Sequence, residues 1–195
     1  AASYGSEDRG IAANGNNIHV VWQDHRNGDA EIYYKRSTNR GDTWSVDTRL
    51  SSMPAYSGSP SIAVYQSIVH VFWSDQRNAD TDIYYRRSTD NGVTWETEVR
   101  LTTNPEYSFK PSVEVSGANV FLFWSDDTSV DYEIYFKRSA NSGVNWSGST
   151  RLTVDTFISN NVSASSSGQN VHCSWEDNRN GNNEIYYKNS IDGGV

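Results

Sequence analysis

Asp24, Asp75, Asp126 and Asp177 recur at a fixed interval of 51 residues, each two positions after a tryptophan (Trp22, Trp73, Trp124 and Trp175). Arginine follows three of them two positions later, as Arg26, Arg77 and Arg179. A carboxylate that close to a guanidinium can pair with it and cap its own turn, a structural use. Gathered on one face, the same residues can instead bind a ligand, and four converging aspartates can hold a hard cation such as Ca²⁺ or Mg²⁺. Recurrence in every copy favours the scaffold role, and the pattern requires no metal or cofactor. The segments joining one copy to the next carry residues that vary: Tyr4, Glu7, Arg9, Tyr56, Tyr107, Phe109, Lys110 and Phe157. Planar rings among them, Tyr56, Tyr107, Phe109 and Phe157, can stack on sugars or a protein surface, or can simply cover gaps between copies.

Such residues must be held by a repeating scaffold. A second tryptophan series, Trp44, Trp95 and Trp146, steps by the same 51 residues, and no insertion separates the copies. A fixed period of this size marks a supersecondary unit that buries its apolar face against its neighbours. Each copy opens with a short small-residue strand (GIAA, SIAV, SVEV, SASS). An alternating strand follows, with cores near 18–22, 69–73, 120–124 and 171–175. A loop rich in Asp, Asn and Gly leads to EIYYKRS or its equivalent, and a tight turn leads to an outer strand ending in TRLS, VRLT or TRLT. No segment has a helical period. Four strands per copy predict an all-β protein, a β-propeller with blades at about 1–51, 52–102, 103–153 and 154–195. A β-sandwich is the alternative, which four equal copies fit poorly. In a propeller of this kind, the loops after the second strand and the segments between blades share one face.

The turn before the outer strand carries a motif. STDNGVTW (88–95) resembles the Asp-box, or BNR repeat, of sialidases and related propellers. STNRGDTW (37–44) and SANSGVNW (139–146) resemble it with Asn39 and Asn141 for the Asp, and SIDGGV (190–195) matches its first six residues. Within it, Ser37, Ser88 and Ser139 open the turn and Asn39, Asp90 and Asn141 accept its N–H groups. Gly41, Gly92 and Gly143 supply positive φ, and Trp44, Trp95 and Trp146 pack back onto their own blades. The resemblance places these boxes opposite the active face, as folding devices. It also implies, for sialidases, three arginines around a carboxylate, a Tyr–Glu nucleophile pair and an Asp acid, each from a different blade. Arg9, Asp24-His25-Arg26 and the R-S-T of the first box echo that opening pattern. Arg9 is followed by Gly10 and Ile11, however, and Arg26 recurs as a scaffold residue does. The expected role is therefore a non-catalytic secreted or surface propeller binding glycan or protein through Asp24, Arg26, Tyr56, Asp75, Arg77, Tyr107, Phe109, Asp126, Asp177 and Arg179. A fragment of a sialidase-type glycoside hydrolase is the alternative.

Composition sets the remaining bounds. Net charge is −8, which disfavours nucleic acid and anionic membrane surfaces as partners. No apolar run approaches 18 residues, so no membrane insertion is expected. Cys173 is alone and sits where other copies have Val20-like apolar residues, a buried hydrophobe by pattern. The chain falls nine residues short of four full copies and begins past an outer strand without Met, so part of a longer propeller is expected. EIYYKNS (184–190) would then be an exposed edge, open to homodimer pairing.

Overall fold

The computed structural model describes residues 6–52, 55–78, 80–104, 107–127, 131–154 and 156–194. Its contacts divide the chain into two compact units, residues 1–103 and 104–195. The first unit holds two antiparallel sheets in simple meander order. One contains β1 (Ser6–Asn14), β2 (Asn17–Asp24), β3 (Glu31–Ser37) and β4 (Thr48–Arg49); the other contains β5 (Ser57–Tyr65), β6 (Ile68–Asn78), β7 (Asp80–Ser88) and β8 (Val99–Arg100). In the second unit, β9 (Ser108–Ser116), β10 (Asn119–Asp126), β11 (Glu133–Ser139) and β12 (Thr150–Arg151) form a third sheet. The fourth has three strands, β13 (Ser159–Ser167), β14 (Asn170–Asp177) and β15 (Glu184–Ser190). These are the repeated sheets of a β-propeller, and among the described residues no helix is long and apolar enough to cross a membrane.

Alternation explains the packing. Side chains two apart on a strand share a face, so Val21, Val69 and Val71 join Ile32, Tyr34 and Leu50 in the core of the first unit. Phe121, Phe123, Phe136, Val171 and Trp175 form the core of the second, with Cys173 buried among them as its apolar setting predicted. Burial pushes that thiol up to about 11, so it stays protonated and inert. The inner strands share one irregularity. Their registers slip at Glu7/Arg9, Gly58/Ser61 and Asn160/Ser163, and Ser59, Lys110 and Asn161, again 51 apart, have φ near +50°. An extra left-handed residue in one strand of a pair is a β-bulge, which bends the strand and sharpens its twist.

The outer strands are shorter than the sequence suggests, each only two residues. Side chains extend their grip. In the box turns Ser37, Ser88, Ser139 and Ser190 accept the N–H of Gly41, Gly92, Gly143 and Gly194 at 2.8–2.9 Å. Asn39, Asp90 and Asn141 accept from Thr43, Thr94 and Asn145, each at 2.9 Å. The tryptophans behave differently from the expectation of burial on their own blade. Trp95 reaches the preceding sheet and meets Tyr34 edge-on, ring centroids 4.8 Å apart, beside the core of the first unit. Trp44 is 41% exposed, and Trp146 is half-buried. The Trp95 indole thus fills a gap between the two sheets of the first unit and is not covered by its own turn.

Candidate functional site

The recurring Trp-x-Asp-x-Arg motif folds into one local clamp. Trp and Asp lie two apart at the end of β2, β10 and β14 and three residues before the end of β6, so the indole N–H donates to its own carboxylate. The distances are 3.0 Å (Asp24), 2.9 Å (Asp75), 2.8 Å (Asp126) and 3.1 Å (Asp177). The chain then turns, and the backbone N–H of Arg26, Arg77 and Arg179 donates to the same carboxylates at 2.8, 3.1 and 3.0 Å. The guanidinium folds back onto the acid and lies over a cross-strand tyrosine, 4.3 Å from Tyr33 and 4.1 Å from Tyr84 and Tyr186. Each tyrosine in turn stacks on the motif tryptophan.

The third copy lacks the arginine, and Asn104 donates to both oxygens of Asp126 (3.0 and 3.2 Å) while Ser108 donates at 2.6 Å. Hydrogen bonds from Arg26 hold Asp24 down at about 2, and Arg179 holds Asp177 well below the usual carboxylate range. At Asp75 burial opposes ionisation, yet the donors Arg77 and Trp73 still keep the carboxyl low. Asp24, Arg26, Asp75, Arg77, Asp126, Asp177 and Arg179 are thus engaged within their own sheets. Among the described residues no group of three or more His, Cys, Asp or Glu side chains could hold a metal ion.

A second clamp lies one strand further on, and the sequence reading passed over it. Glu31, Asp82 and Glu133, the first or third residues of β3, β7 and β11, are buried. They pair with Arg49, Arg100 and Arg151 of the outer strands and accept from Ser51, Thr102 and Thr153. Burial raises the Glu31 carboxyl, against the pull of Ser51 and Arg49. The signal was present as an acid opening EIYY and an Arg-Leu-Ser/Thr closing each copy, but the two lie 18 residues apart.

The aromatic residues lie in or beside the loops of each unit. Backbone bonds tie Ser57 to Ala30 and Gln76 to Tyr56 in the first unit, and Asp127 to Tyr107 and Ser159 to Tyr132 in the second. In the first unit Tyr56 is 39% exposed and its hydroxyl donates to Gln23 at 3.2 Å, with Gln23 in turn beside His25. In the second unit Tyr107 (49%) and Phe157 (43%) are exposed, and Phe109 meets Tyr132 edge-on at 5.0 Å. Tyr132 was not anticipated; it replaces the Ala30 and Thr81 of earlier copies, an unrepeated residue in a repeated frame. Arg9 is exposed on β1, and Lys110 donates to Asn161 at 2.5 Å. Tyr4 and the side chain of Glu7 lie outside the described residues.

No protein-family model and no curated protein matches the sequence. Solved structures do. An α-L-arabinofuranosidase of glycoside hydrolase family 93 from Fusarium graminearum, in complex with arabinobiose, superposes with a TM-score of 0.69 at 15% identity, over 98% of this chain and 65% of that one. A family 117 glycoside hydrolase from the marine bacterium Zobellia galactanivorans gives 0.63 at 10% identity, over 98% and 68%. A subtype N10 neuraminidase-like protein of A/little yellow-shouldered bat/Guatemala/060/2010 gives 0.62 at 10%, over 93% and 59%. The chain therefore spans 65% of the length of the Fusarium enzyme. What the likeness shows is the fold alone, a β-propeller.

Proposed function

We propose that this chain is a carbohydrate-binding propeller, exported from the cell, which presents sugars to the aromatic rings of its loop face and does not hydrolyse them. The observation that carries the reading is the aromatic group of the second unit: Tyr107 and Phe157 are nearly half exposed, and Phe109 and Tyr132 stand edge to face beside them. Exposed aromatic rings suit the C–H faces of pyranose and furanose rings. The aspartates of the Trp-x-Asp motif support binding over catalysis, and the one acid beside them that burial raises, Glu31, is tied to Arg49 and Ser51. Glycosidases need one carboxylic acid with a raised pKa, whereas Asp24, Asp75 and Asp177 are held low by arginine and indole donors. We read residues 1–195 as one propeller domain or a portion of one, its box turns serving structure alone.

Calorimetric titration with arabinobiose, xylotriose, cellotriose and a sialoside tests this. Binding of at least one, weakened tenfold or more by Tyr107→Ala with Phe157→Ala at unchanged thermal stability, is the expected result. Absence of binding to any of them, or equal affinity in the double variant, would refute it. A second reading, part of a glycoside hydrolase, is favoured by the chain-wide likeness to such enzymes. Release of monosaccharide from the same compounds would decide for it.

A further inference from the structure

The loop after the second strand changes its charge in the third copy alone. Residues 23–30, 74–81 and 176–183 each hold two acids and one arginine, whereas the equivalent residues 125–132 (SDDTSVDY) hold three aspartates and no basic residue. Two replacements cause this. Thr128 stands where the other copies have Arg26, Arg77 and Arg179, and Asp127 stands where they have His25, Gln76 and Asn178. Asn104, Ser108 and the Trp124 indole donate to Asp126 in place of the arginine. All three are neutral, so among the described residues no cation accompanies that aspartate.

The other two aspartates of this loop, Asp127 and Asp131, are half-buried, and neither carboxylate has a hydrogen bond or ion pair among the described residues. The backbone sets both beside aromatic rings. Asp127 donates its N–H to the Tyr107 carbonyl at 3.0 Å, and Tyr132, the residue after Asp131, accepts at its carbonyl from the Ser159 N–H at 2.7 Å. These two bonds staple the ends of the loop to the joining segments on either side. One segment carries Tyr107 itself, and the other carries Phe157 two residues before Ser159. Phe109, which pairs with Ser125 across the strands, meets Tyr132 edge-on at 5.0 Å.

The first unit serves as the control. Tyr56 recurs there and its carbonyl accepts the same backbone bond, at 2.9 Å, but from the neutral Gln76. Gly58 stands in place of Phe109 and Thr81 in place of Tyr132. The added rings and the added charge therefore arrive together, in one copy, on a backbone that the other copies build without them. A scaffold role explains neither. The basic side chains of the second unit's loops and inner strand are committed elsewhere: Arg151 pairs with Glu133, Arg179 pairs with Asp177, and Lys110 donates to Asn161 at 2.5 Å.

We propose that the aromatic site of the second unit takes saccharides bearing a protonated amine, the 2-amino sugars, with Asp127 and Asp131 receiving the ammonium group while the rings stack on the C–H faces. An ammonium is attracted both by a carboxylate and by the face of an aromatic ring, whereas a hydroxyl in its place gains far less and a carboxylate is repelled. The chain's net charge of −8 adds attraction of the same sign at longer range. Sugars carrying a carboxylate are then the poorest ligands and neutral sugars intermediate. The inference rests on the carbohydrate reading and narrows it to one class of ligand.

The test compares trisaccharides that share a β-1,4-linked glucopyranose frame and differ only at C2: the glucosamine trimer, its N-acetylated form and cellotriose. Calorimetric titration runs at about pH 6, between the ordinary carboxylate and amine ranges. The glucosamine trimer should bind about tenfold tighter than either of the others. That advantage should shrink to within about twofold when the salt is raised from about 0.05 M to about 0.5 M, because an exposed ion pair is screened. It should shrink equally in the Asp127→Asn, Asp131→Asn double variant, with thermal melting unchanged. Equal affinity for the three sugars, or an advantage that survives loss of both carboxylates, would overturn the proposal and leave the carbohydrate reading standing. Failure of all three to bind would also overturn it, and the arabinobiose and xylotriose titrations would then decide the carbohydrate reading by themselves.

Discussion

Replacing His70 and Tyr85 together by phenylalanine should remove a large part of the protein's sensitivity to mild acid. The pair is buried on adjacent strands, with the imidazole Nδ1 2.7 Å from the Tyr85 hydroxyl and the rings stacked at 5.9 Å. Burial, with a smaller contribution from Arg87, pushes His70 down to about 3. A histidine whose folded pKa is depressed binds its proton only in the unfolded chain once the pH falls below its ordinary value near 6.5. Stability is therefore lost as the pH drops from that value toward the folded one. At about pH 4.5 the unfolded form lies two pH units below its pKa while folded His70 is still neutral, so the cost is about 2.7 kcal/mol at about 1.36 kcal/mol per unit.

The third copy shows that the double replacement is sterically sound. Phe121 and Phe136 occupy the equivalent positions, both buried, with ring centroids 6.5 Å apart. Urea unfolding of parent and variant at pH 7 and pH 4.5 measures the effect. The two should lie within about 1 kcal/mol of each other at pH 7, as for a shape-conserving core exchange. The drop on acidification should then shrink by about 2.5 kcal/mol in the variant, because all other titrating groups cancel in the comparison. Equal drops in the two proteins would show that His70 is protonated in the fold, and the argument would be wrong.

Other perturbations separate the remaining contacts. Arg77→Ala should cost about 3–5 kcal/mol in urea unfolding, since it leaves Asp75, 1% exposed, as a buried charge without its partner; Arg26→Ala, whose side chain is 42% exposed, should cost about 1 kcal/mol. Trp95→Ala should cost about 3 kcal/mol and Trp44→Ala about 1 kcal/mol, because the first indole packs on Tyr34 and the second is 41% exposed; equal costs would contradict the packing. Acid below pH 4 should bring a further loss: the stability that the Asp24 clamp contributes is fully present above the ordinary carboxylate value near 4 and disappears as the pH falls toward about 2 and Asp24 takes up its proton; thermal melts that show no fall between pH 4 and 2 would refute this.

What could be read from the sequence followed the range of the interactions. The sheets, their order and the Asp–Arg clamps rest on residues two apart or on strand alternation, and periodicity alone displays these. The exposure of Trp44 could not be read, because an identical turn buries or bares its indole according to what faces it. Asn104 was equally hidden: it stands in for the missing arginine across 22 residues, from a joining segment with no repeated pattern. Tyr132 showed as a departure from the repeat, but its meeting with Phe109 needed the fold. The outer strands looked longer than they are because Arg, Leu and Ser or Thr recur there for side-chain and single-bond anchoring, not for a continuous ladder.

The joint between successive sheets has a direction. Within residues 6–103 the second sheet sends Trp95 and Arg86 into the first, and within residues 107–194 Lys188 of the fourth sheet reaches the Leu152 carbonyl of the third. Within each unit, therefore, one copy carries the plug and its neighbour the socket. For the gene this has a simple consequence. Recombination between two copies at matching positions joins a plug to a socket of the same shape, so whole 51-residue units can be gained or lost in one event with each surviving joint intact. A crossover out of phase by even one residue would put the indole, the arginine and the acid on the wrong faces at once. Selection on the joint, acting copy by copy, is then enough to keep the spacing free of insertions.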